Sequence, residues 1–88
     1  MNSHVSRSFR ERFAALPADV RQRADADYGL FQQDPFHPSL QFKQVTGTRF
    51  WSVRVGMEYR ALALRQGTRG TWEWIGTHAE YDQILRRG

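Results

Sequence analysis

The stretch FWSVRVGMEYRALALR, residues 50–65, decides the fold of this chain. Apolar and polar residues alternate over residues 51–55, the tripeptide Gly56-Met57-Glu58 follows, and residues 59–65 form a second, mostly apolar run. Alternation with a period of two is typical of half-buried strands, and so short a connection joins antiparallel neighbours. We therefore predict a β-hairpin with strands over residues 50–55 and 59–65.

Two further strands are predicted on either side of this β-hairpin, over residues 40–45 and 71–77. The glycine-containing connections at 46–48 and 66–70 are short enough for consecutive strands to pair antiparallel. The simplest topology is a meander of about four strands. One face of such a sheet packs against the core, and the other is left for function.

The first third of the chain has helical periodicity instead. Apolar residues recur at spacings of three and four in two groups: Phe9, Phe13 and Leu16, then Val20, Ala24, Tyr28 and Phe31. Pro17 separates the groups, and Asp34-Pro35 ends the second, because the residue before a proline is disfavoured in a helix. We predict a helical hairpin, and the residues around Val5 are compatible with a short strand before it.

A short C-terminal helix is indicated by Tyr81, Ile84 and Leu85, which share one helical face. Thr77 and Glu80 have the spacing of a capping box at its start. The predicted fold class is α+β, with an N-terminal helical hairpin packed on a twisted antiparallel sheet and this helix at the end. At 88 residues the chain is expected to form a single domain, residues 1–88.

Composition excludes several classes of function. The sequence has no cysteine, and its three histidines lack metal-ligand spacing, so we expect neither a metal nor a cofactor. No apolar run approaches the roughly 20 residues of a membrane span. The N-terminus also lacks the pattern of a signal peptide. We therefore expect a cytoplasmic protein with no membrane partner.

Positive charge is concentrated in the second part of the chain. Residues 1–38 contain five arginines and five acidic residues, whereas residues 39–88 contain eight basic and four acidic residues. The excess is almost entirely arginine, whose planar guanidinium suits phosphate and carboxylate groups. The expected partner is a nucleic acid or an acidic protein segment.

Basic side chains on the predicted sheet are candidates for a functional surface. Arg54 alternates with the neighbouring valines, so it points away from the apolar face, either as a functional residue or as a solvated one. Arg60 has the parity of Leu62 and Leu64, which we interpret as the core face, so alternation does not place it beside Arg54. Lys43, the only lysine, also suits an edge strand, where a charge discourages aggregation.

A second group of candidates lies where the last strand meets the last helix. His78 is the side chain best suited to proton transfer near neutral pH, and Tyr81 could act as a second acid. The simpler interpretation makes Glu80 a helix cap and Tyr81 a core residue. Both interpretations of Tyr81 stay open on the sequence.

The three tryptophans are interpreted as core residues. Trp72 and Trp74 are two positions apart, so alternation places both on one face of the last strand. A core this small needs large aromatic side chains, whereas base stacking needs exposed rings. We therefore expect packing roles for these two and for Trp51.

The sequence has no phosphate-binding glycine loop, paired catalytic carboxylates or nucleophile elbow. An enzyme built from this chain would rely on arginine, lysine, histidine and tyrosine. That set suits RNA cleavage by attack of the 2′-hydroxyl on the adjacent phosphate. This reaction needs a base, a positive clamp and an acid, but no metal.

Several segments occur in an order found in a known family: DP at 34–35, HPSL at 37–40, FK at 42–43, WSVRV at 51–55, YRAL at 59–62, WIGTH at 74–78 and EYD at 80–82. On these residues, and over nearly its whole length, the chain resembles the RelE/ParE superfamily of bacterial toxin–antitoxin toxins. The resemblance implies the fold predicted above. One branch of that superfamily cleaves messenger RNA in the ribosomal decoding site, and another poisons DNA gyrase.

The resemblance also implies site residues, position by position. Arg60 matches the arginine that stabilises the phosphate, and Arg54 matches a second basic residue on the preceding strand. His78 and Tyr81 fall in the C-terminal segment that supplies the general acid or base. These four residues are the predicted catalytic set.

Three basic residues of the strand-rich part, Lys43, Arg49 and Arg65, are predicted to bind RNA. Lys43 sits where RelE-like members carry a basic residue on the sheet. Three functions remain open: a ribosome-dependent endoribonuclease that inhibits translation, a gyrase poison, and a non-catalytic module that only binds an antitoxin. All three imply an acidic antitoxin segment as protein partner, and the first adds messenger RNA on the ribosome.

Overall fold

The computed structural model describes residues 2–87, which form three α-helices and five strands. The helices are α1 (Arg7–Ala14), α2 (Ala18–Gln33) and α3 (His78–Arg87). The strands are β1 (Asn2–Val5), β2 (Lys43–Gln44), β3 (Phe50–Val55), β4 (Tyr59–Gln66) and β5 (Arg69–Thr77). The predicted α+β class, with a helical hairpin before the sheet and a helix after it, is confirmed.

The sheet has the strand order β1-β5-β4-β3-β2. Strands β2 to β5 form the predicted antiparallel meander, but β1 adds a fifth strand that runs parallel to β5. The prediction of an all-antiparallel sheet of about four strands is corrected to a mixed sheet of five. In the sequence, α1, α2 and three strands lie between β1 and β5. So long a connection allows the chain to return in the same direction, and β1 can therefore pair parallel to β5.

The main core lies between the helical hairpin and one face of the sheet, here called the helical face. Phe31 of α2 meets Phe42 edge-on at a centroid distance of 5.0 Å and Trp72 at 5.4 Å. Ala61 and Ala63 of β4 belong to this core cluster. Their small side chains leave room for the helical aromatic rings.

The opposite sheet face, called the arginine face, carries Ser52, Arg54, Arg60 and Leu62. Leu62 is buried here between Ser52 and Trp74, outside the main core. The assignment of Arg60 to the core face was therefore wrong, although its shared parity with Leu62 was right. The error arose because β4 is apolar on both faces, so the larger leucines looked like the core side and the alanines did not.

A β-bulge corrects the prediction for two of the tryptophans. Leu62 is paired with Trp74 and the next residue, Ala63, with Trp72, so Glu73 is the extra residue in β5. An inserted residue reverses the alternation. Trp72 therefore packs in the main core, whereas Trp74 lies on the arginine face.

The predicted strand over residues 40–45 is mostly another structure. Pro38–Leu40 forms a 3₁₀ turn, in which the ring of His37 accepts a hydrogen bond from the Ser39 backbone N–H. Gln41 then has a left-handed backbone, with φ of 48°. Only Lys43–Gln44 pairs as a strand.

The helix boundaries follow the predicted signals. Helix α2 begins after Pro17 and ends before Asp34, and the capping box of Thr77 and Glu80 is present at the start of α3. Over residues 2–87, none of the helices has the length and apolarity needed to cross a membrane.

Candidate functional site

The arginine face brings together two predicted site residues from the β3–β4 hairpin. Arg54 and Arg60 are directly paired across the two strands. Side chains in opposing positions of an antiparallel pair lie on the same face and within interaction distance, and like charges there are destabilising. Without a ligand, this arrangement of two positive charges therefore works against the stability of the fold.

Arg60 is the most unusual residue of the site, because its side chain is charged and only 6% of the residue is exposed. Its Nη2 donates to Oε1 of Gln41 at 3.3 Å. Within residues 2–87, Nε and Nη1 are buried and have no hydrogen-bond partner. Burying a guanidinium without a counter-charge costs roughly several kcal/mol of folding free energy, unless an anion binds to it. Two donors of Arg60, buried and without a partner among residues 2–87, are thus available to an anionic oxygen that gains access to them.

Tyr81 covers the guanidinium of Arg60. The Tyr81 ring lies 5.3 Å from Cζ of Arg60, and the tyrosine is itself only 6% exposed. This distance allows a cation–π interaction, which is stronger away from water. The burial of Tyr81 fits the core role that its helical spacing indicates. The group it packs against, however, is the candidate phosphate-binding arginine.

Arg54 is partly exposed and is held by the turn that follows it. Its Nε donates to the carbonyl oxygen of Gly56 at 3.0 Å, and its Nη2 lies 3.0 Å from Sδ of Met57. Gly56 has φ of 63°, a left-handed conformation that favours glycine. The turn therefore orients the second arginine of the site.

His78 lies at the start of α3, beside Tyr81 and the β3–β4 turn. Its backbone N–H donates to the carbonyl oxygen of Glu58 at 2.7 Å, which ties α3 to the β3–β4 turn. The rings of His78 and Tyr81 are 6.0 Å apart, and His78 Nε2 is 3.6 Å from Oδ2 of Asp82. More than half of the His78 side chain is exposed, so it can meet an external substrate.

Glu80 has the capping role that the simpler interpretation assigned to it. Its Oε1 accepts hydrogen bonds from the backbone N–H of Thr77 at 2.9 Å and from the Thr77 hydroxyl at 3.0 Å. These bonds, together with the charge of Arg12, lower the pKa of the Glu80 carboxyl below its ordinary value of 4.5. Arg12 also donates to the Ile75 carbonyl oxygen at 3.0 Å, so α1 supports the junction between β5 and α3.

Two residues of the site were missed in the sequence. Ser52 is fully buried, and within residues 2–87 its hydroxyl oxygen has no hydrogen-bond partner. Gln41 supplies the one acceptor that Arg60 has among these residues. Alternation with Arg54 could have placed Ser52 on the arginine face. Nothing local could have placed Gln41, because its contact with Arg60 spans 19 residues.

The predicted RNA-binding residues are dispersed. Lys43 is exposed on β2 opposite Ser52, beside the arginine pair. Arg49 is exposed in the turn before β3. Arg65 has the parity of Ala63, and its guanidinium lies 4.9 Å from the Trp51 ring, on the helical face. The structure thus brings Lys43 to the site but leaves Arg65 on the other side of the sheet.

A cleft of about 580 Å³ lies on the helical face between α1, α2 and the sheet. Its walls are mainly apolar and include Phe9, Phe13, Tyr28 and Phe31 from the two helices. Trp72 forms part of the sheet wall, and its indole N–H is buried without a partner within residues 2–87. Over the same residues, no cluster of three or more His, Cys, Asp or Glu side chains could hold a metal ion.

Solved structures show the same fold. A chain of the RelB–RelE antitoxin–toxin complex of Methanococcus jannaschii gives a TM-score of 0.74 at 15% identity, covering 93% of this chain and 98% of that one. The YoeB/ParE toxin of Agrobacterium tumefaciens gives a TM-score of 0.69 at 16% identity, covering 89% of this chain and 99% of that one. YafQ of Escherichia coli gives a TM-score of 0.68 at 14% identity, covering 91% of this chain and 96% of that one.

These likenesses show that the chain has the fold of these toxin structures. Residues 18–83 match the family described as the ParE-like toxin domain, and the chain belongs to that family. The resemblance stated from the sequence is thus confirmed. A search of curated protein sequences gave no significant match.

Proposed function

We propose that this chain is the toxin of a toxin–antitoxin pair and cleaves messenger RNA on the ribosome, thereby inhibiting translation. The observation that carries the proposal is Arg60, whose buried guanidinium has two nitrogens without a partner among residues 2–87. A free, desolvated donor pair is suited to a phosphorane, where charge develops only during the reaction. Arg54, directly opposite, supplies the second positive charge.

The proposed reaction is an internal transesterification. The 2′-hydroxyl oxygen attacks the adjacent phosphorus while its proton passes to a base. The bond from phosphorus to the 5′ oxygen breaks, and this oxygen takes a proton from an acid. The products are a 2′,3′-cyclic phosphate and a 5′-hydroxyl end, so atoms and charges balance without a cofactor.

Arg60 and Arg54 would stabilise the charge on the phosphorane oxygens. His78 and Tyr81 are the groups that would transfer protons, since Tyr81 lies over Arg60 and His78 lies beside Tyr81. A phosphate can reach Nε and Nη1 of Arg60 only when Tyr81 or Gln41 moves, because the arginine is 6% exposed. Substrate binding is therefore expected to displace α3 or the segment around Gln41.

Lys43 and Arg49 are proposed to bind the RNA backbone on either side of the cleaved phosphate, since both are exposed near the β2–β3 end of the arginine face. Arg65 was predicted to bind RNA together with these two residues. Its position over Trp51 suits a contact with a more distant nucleotide, or with ribosomal RNA, rather than with the scissile phosphate.

An antitoxin with an acidic segment is proposed as the protein partner. Two of the similar structures are of RelB–RelE complexes, from Methanococcus jannaschii and Pyrococcus horikoshii. In this chain the apolar cleft on the helical face would accept apolar side chains of the antitoxin. Carboxylates of the same segment would neutralise the excess of arginine. Co-expression with the adjacent open reading frame, followed by copurification, tests this partner.

A gyrase poison is the second candidate, favoured by one feature of α3. Ile84 and Leu85 are 39% and 40% exposed, which gives the helix an apolar surface beside Arg86. Such a surface suits contact with another protein. DNA breaks linked to gyrase on induction, with messenger RNA left intact, would select this function.

Mapping transcript ends after brief induction tests the first proposal directly. We expect new 5′-hydroxyl ends inside translated reading frames within minutes of induction. Arg60→Ala should reduce them at least about a hundredfold, the usual effect of removing a donor to transition-state charge. Arg7→Ala is the matched control, because it removes an arginine whose side chain is 93% exposed in α1.

The outcomes separate the candidates. Ends that persist in Arg60→Ala would contradict the role of this residue. Cleavage of free RNA at an equal rate would contradict dependence on the ribosome. Growth without any defect, from folded and abundant protein, would favour a module that only binds an antitoxin.

A further inference from the structure

Asp27 of α2 is a buried carboxylate that reaches the turn of the β3–β4 hairpin. The residue is 9% exposed, and its Oδ2 accepts a hydrogen bond from the Gly56 backbone N–H at 3.3 Å, across 29 residues of sequence. The same oxygen lies 3.3 Å from Nε of Arg23, whose side chain is mostly exposed. Buried side-chain oxygens are costly unless they accept hydrogen bonds, and these two contacts supply them.

The Gly56 turn is held from both sides. Its N–H is bound by Asp27, and its carbonyl oxygen accepts the bond from Nε of Arg54 at 3.0 Å. Glycine is the residue with the greatest backbone freedom, and here it has φ of 63°. Two hydrogen bonds on the two adjoining peptide groups therefore set a backbone conformation that the glycine alone would leave open.

We infer that Asp27 is a positioning residue for Arg54. The helix α2 carboxylate fixes the Gly56 turn, and the turn carbonyl then fixes the guanidinium of Arg54 opposite Arg60. Asp27 acts through the backbone from the other side of the sheet and has no contact with substrate. The role in catalysis rests on the proposed ribonuclease function, whereas the orientation of Arg54 does not.

The test combines a structural readout with an activity readout. In two-dimensional NMR spectra of the full chain, the Gly56 amide and the Arg54 Nε–H report the two bonds separately. In wild type we expect both signals to be protected from solvent exchange. Asp27→Ala should lower the protection of the Gly56 amide about tenfold, the usual effect of losing a hydrogen bond to a charged group, and should broaden the Arg54 signal.

The conservative variant separates positioning from folding. Asp27→Asn keeps an oxygen acceptor of the same reach, so it should restore most of the Gly56 and Arg54 signals despite the lost charge. In a ribosome cleavage assay, Asp27→Ala should lower kcat about tenfold with KM nearly unchanged, and Asp27→Asn should recover most of it. Asp19→Asn is the matched control, because Asp19 is an exposed acidic residue on the same helix.

Each outcome bears on one claim. A Gly56 amide that exchanges freely in wild type would overturn the positioning role, as would an Arg54 signal unchanged in both Asp27 variants. The Gly56 measurement is made on wild type, so it can overturn the positioning role even if Asp27→Ala does not fold. If the signals respond as expected but wild type does not cleave RNA, the ribonuclease proposal fails and the orientation of Arg54 by Asp27 stands.

Discussion

The ring of Tyr81 lies 5.3 Å from the guanidinium carbon of Arg60 and closes over an arginine that has no counter-ion among residues 2–87. A cation–π contact offsets only about 1–2 kcal/mol of the cost of burying such a charge. The fold therefore retains an arginine that reduces its own stability, as is common where a residue serves a ligand rather than the core.

Arg60→Met should stabilise the protein while removing its toxicity. Methionine fills a similar volume and has no charge to desolvate, so we expect the free energy of unfolding to rise by about 1–3 kcal/mol. Urea denaturation measures this change, and growth after induction measures toxicity. Arg7→Met, at an exposed position, should change stability by less than about 0.5 kcal/mol. A loss of stability in Arg60→Met would show that the arginine is satisfied in solution.

Gly76→Ala should destabilise the arginine face. A Cβ atom at this position would lie 2.5 Å from Cζ2 and 2.7 Å from Cη2 of Trp74, so the indole must leave its place beneath Arg12. We expect a loss of about 1–3 kcal/mol by thermal or urea unfolding.

Gly29→Ala is the matched comparison for Gly76→Ala. Gly29 lies inside α2, and a Cβ atom there would meet nothing within 4 Å. Alanine is the better helix former, so this variant should gain about 0.5–1 kcal/mol. Changes of the same sign in the two variants would contradict the packing of Trp74 on Gly76.

The attachment of α3 should weaken in acid. The pKa of Glu80 is lowered in the folded state, so its ionised form stabilises the fold at pH values above its ordinary value of 4.5. This contribution is lost as the pH falls through the lowered pKa. Hydrogen exchange of the α3 amides, followed as the pH is reduced, should show earlier opening of this helix than of β4.

Glu80→Gln provides the control for this pH dependence, because glutamine keeps an acceptor for Thr77 but does not titrate in this range. The stability difference between wild type and Glu80→Gln should be constant above the ordinary pKa and shrink below it. A difference that does not vary with pH in the acid range would exclude the ionised cap as the cause.

Of the substitutions proposed in this section, Phe31→Ala should cause the largest loss of stability. The ring meets Phe42 and Trp72 edge-on, and the residue is 4% exposed. Truncation should cost about 3–5 kcal/mol. Phe36→Ala, at a residue that is 63% exposed, should cost less than about 1 kcal/mol. Equal losses of unfolding free energy in Phe31→Ala and Phe36→Ala, measured by urea denaturation, would contradict the placement of Phe31 in the core.

The sequence alone determined the order of the helices and of the meander strands. Periodicity separated the helical hairpin from the meander, and local signals at Pro17, Asp34, Thr77 and Glu80 marked helix ends. These features were predictable because each depends on residues close together in the chain. Arg54 was likewise placed on the correct face by simple alternation.

Only the tertiary structure decided which face of β4 is the core and what surrounds Arg60. Both faces of that strand are apolar, so the choice depends on where the helices pack, and the β-bulge at Glu73 changes the alternation without a local signal. The contacts of Arg60 with Gln41 and Tyr81, and of Asp27 with Gly56, join residues about 20 or more positions apart. Such pairs form only when the sheet and helices assemble. The sequence identifies the arginines, but only the assembled fold makes one of them a buried charge with no counter-ion in the described part of the chain.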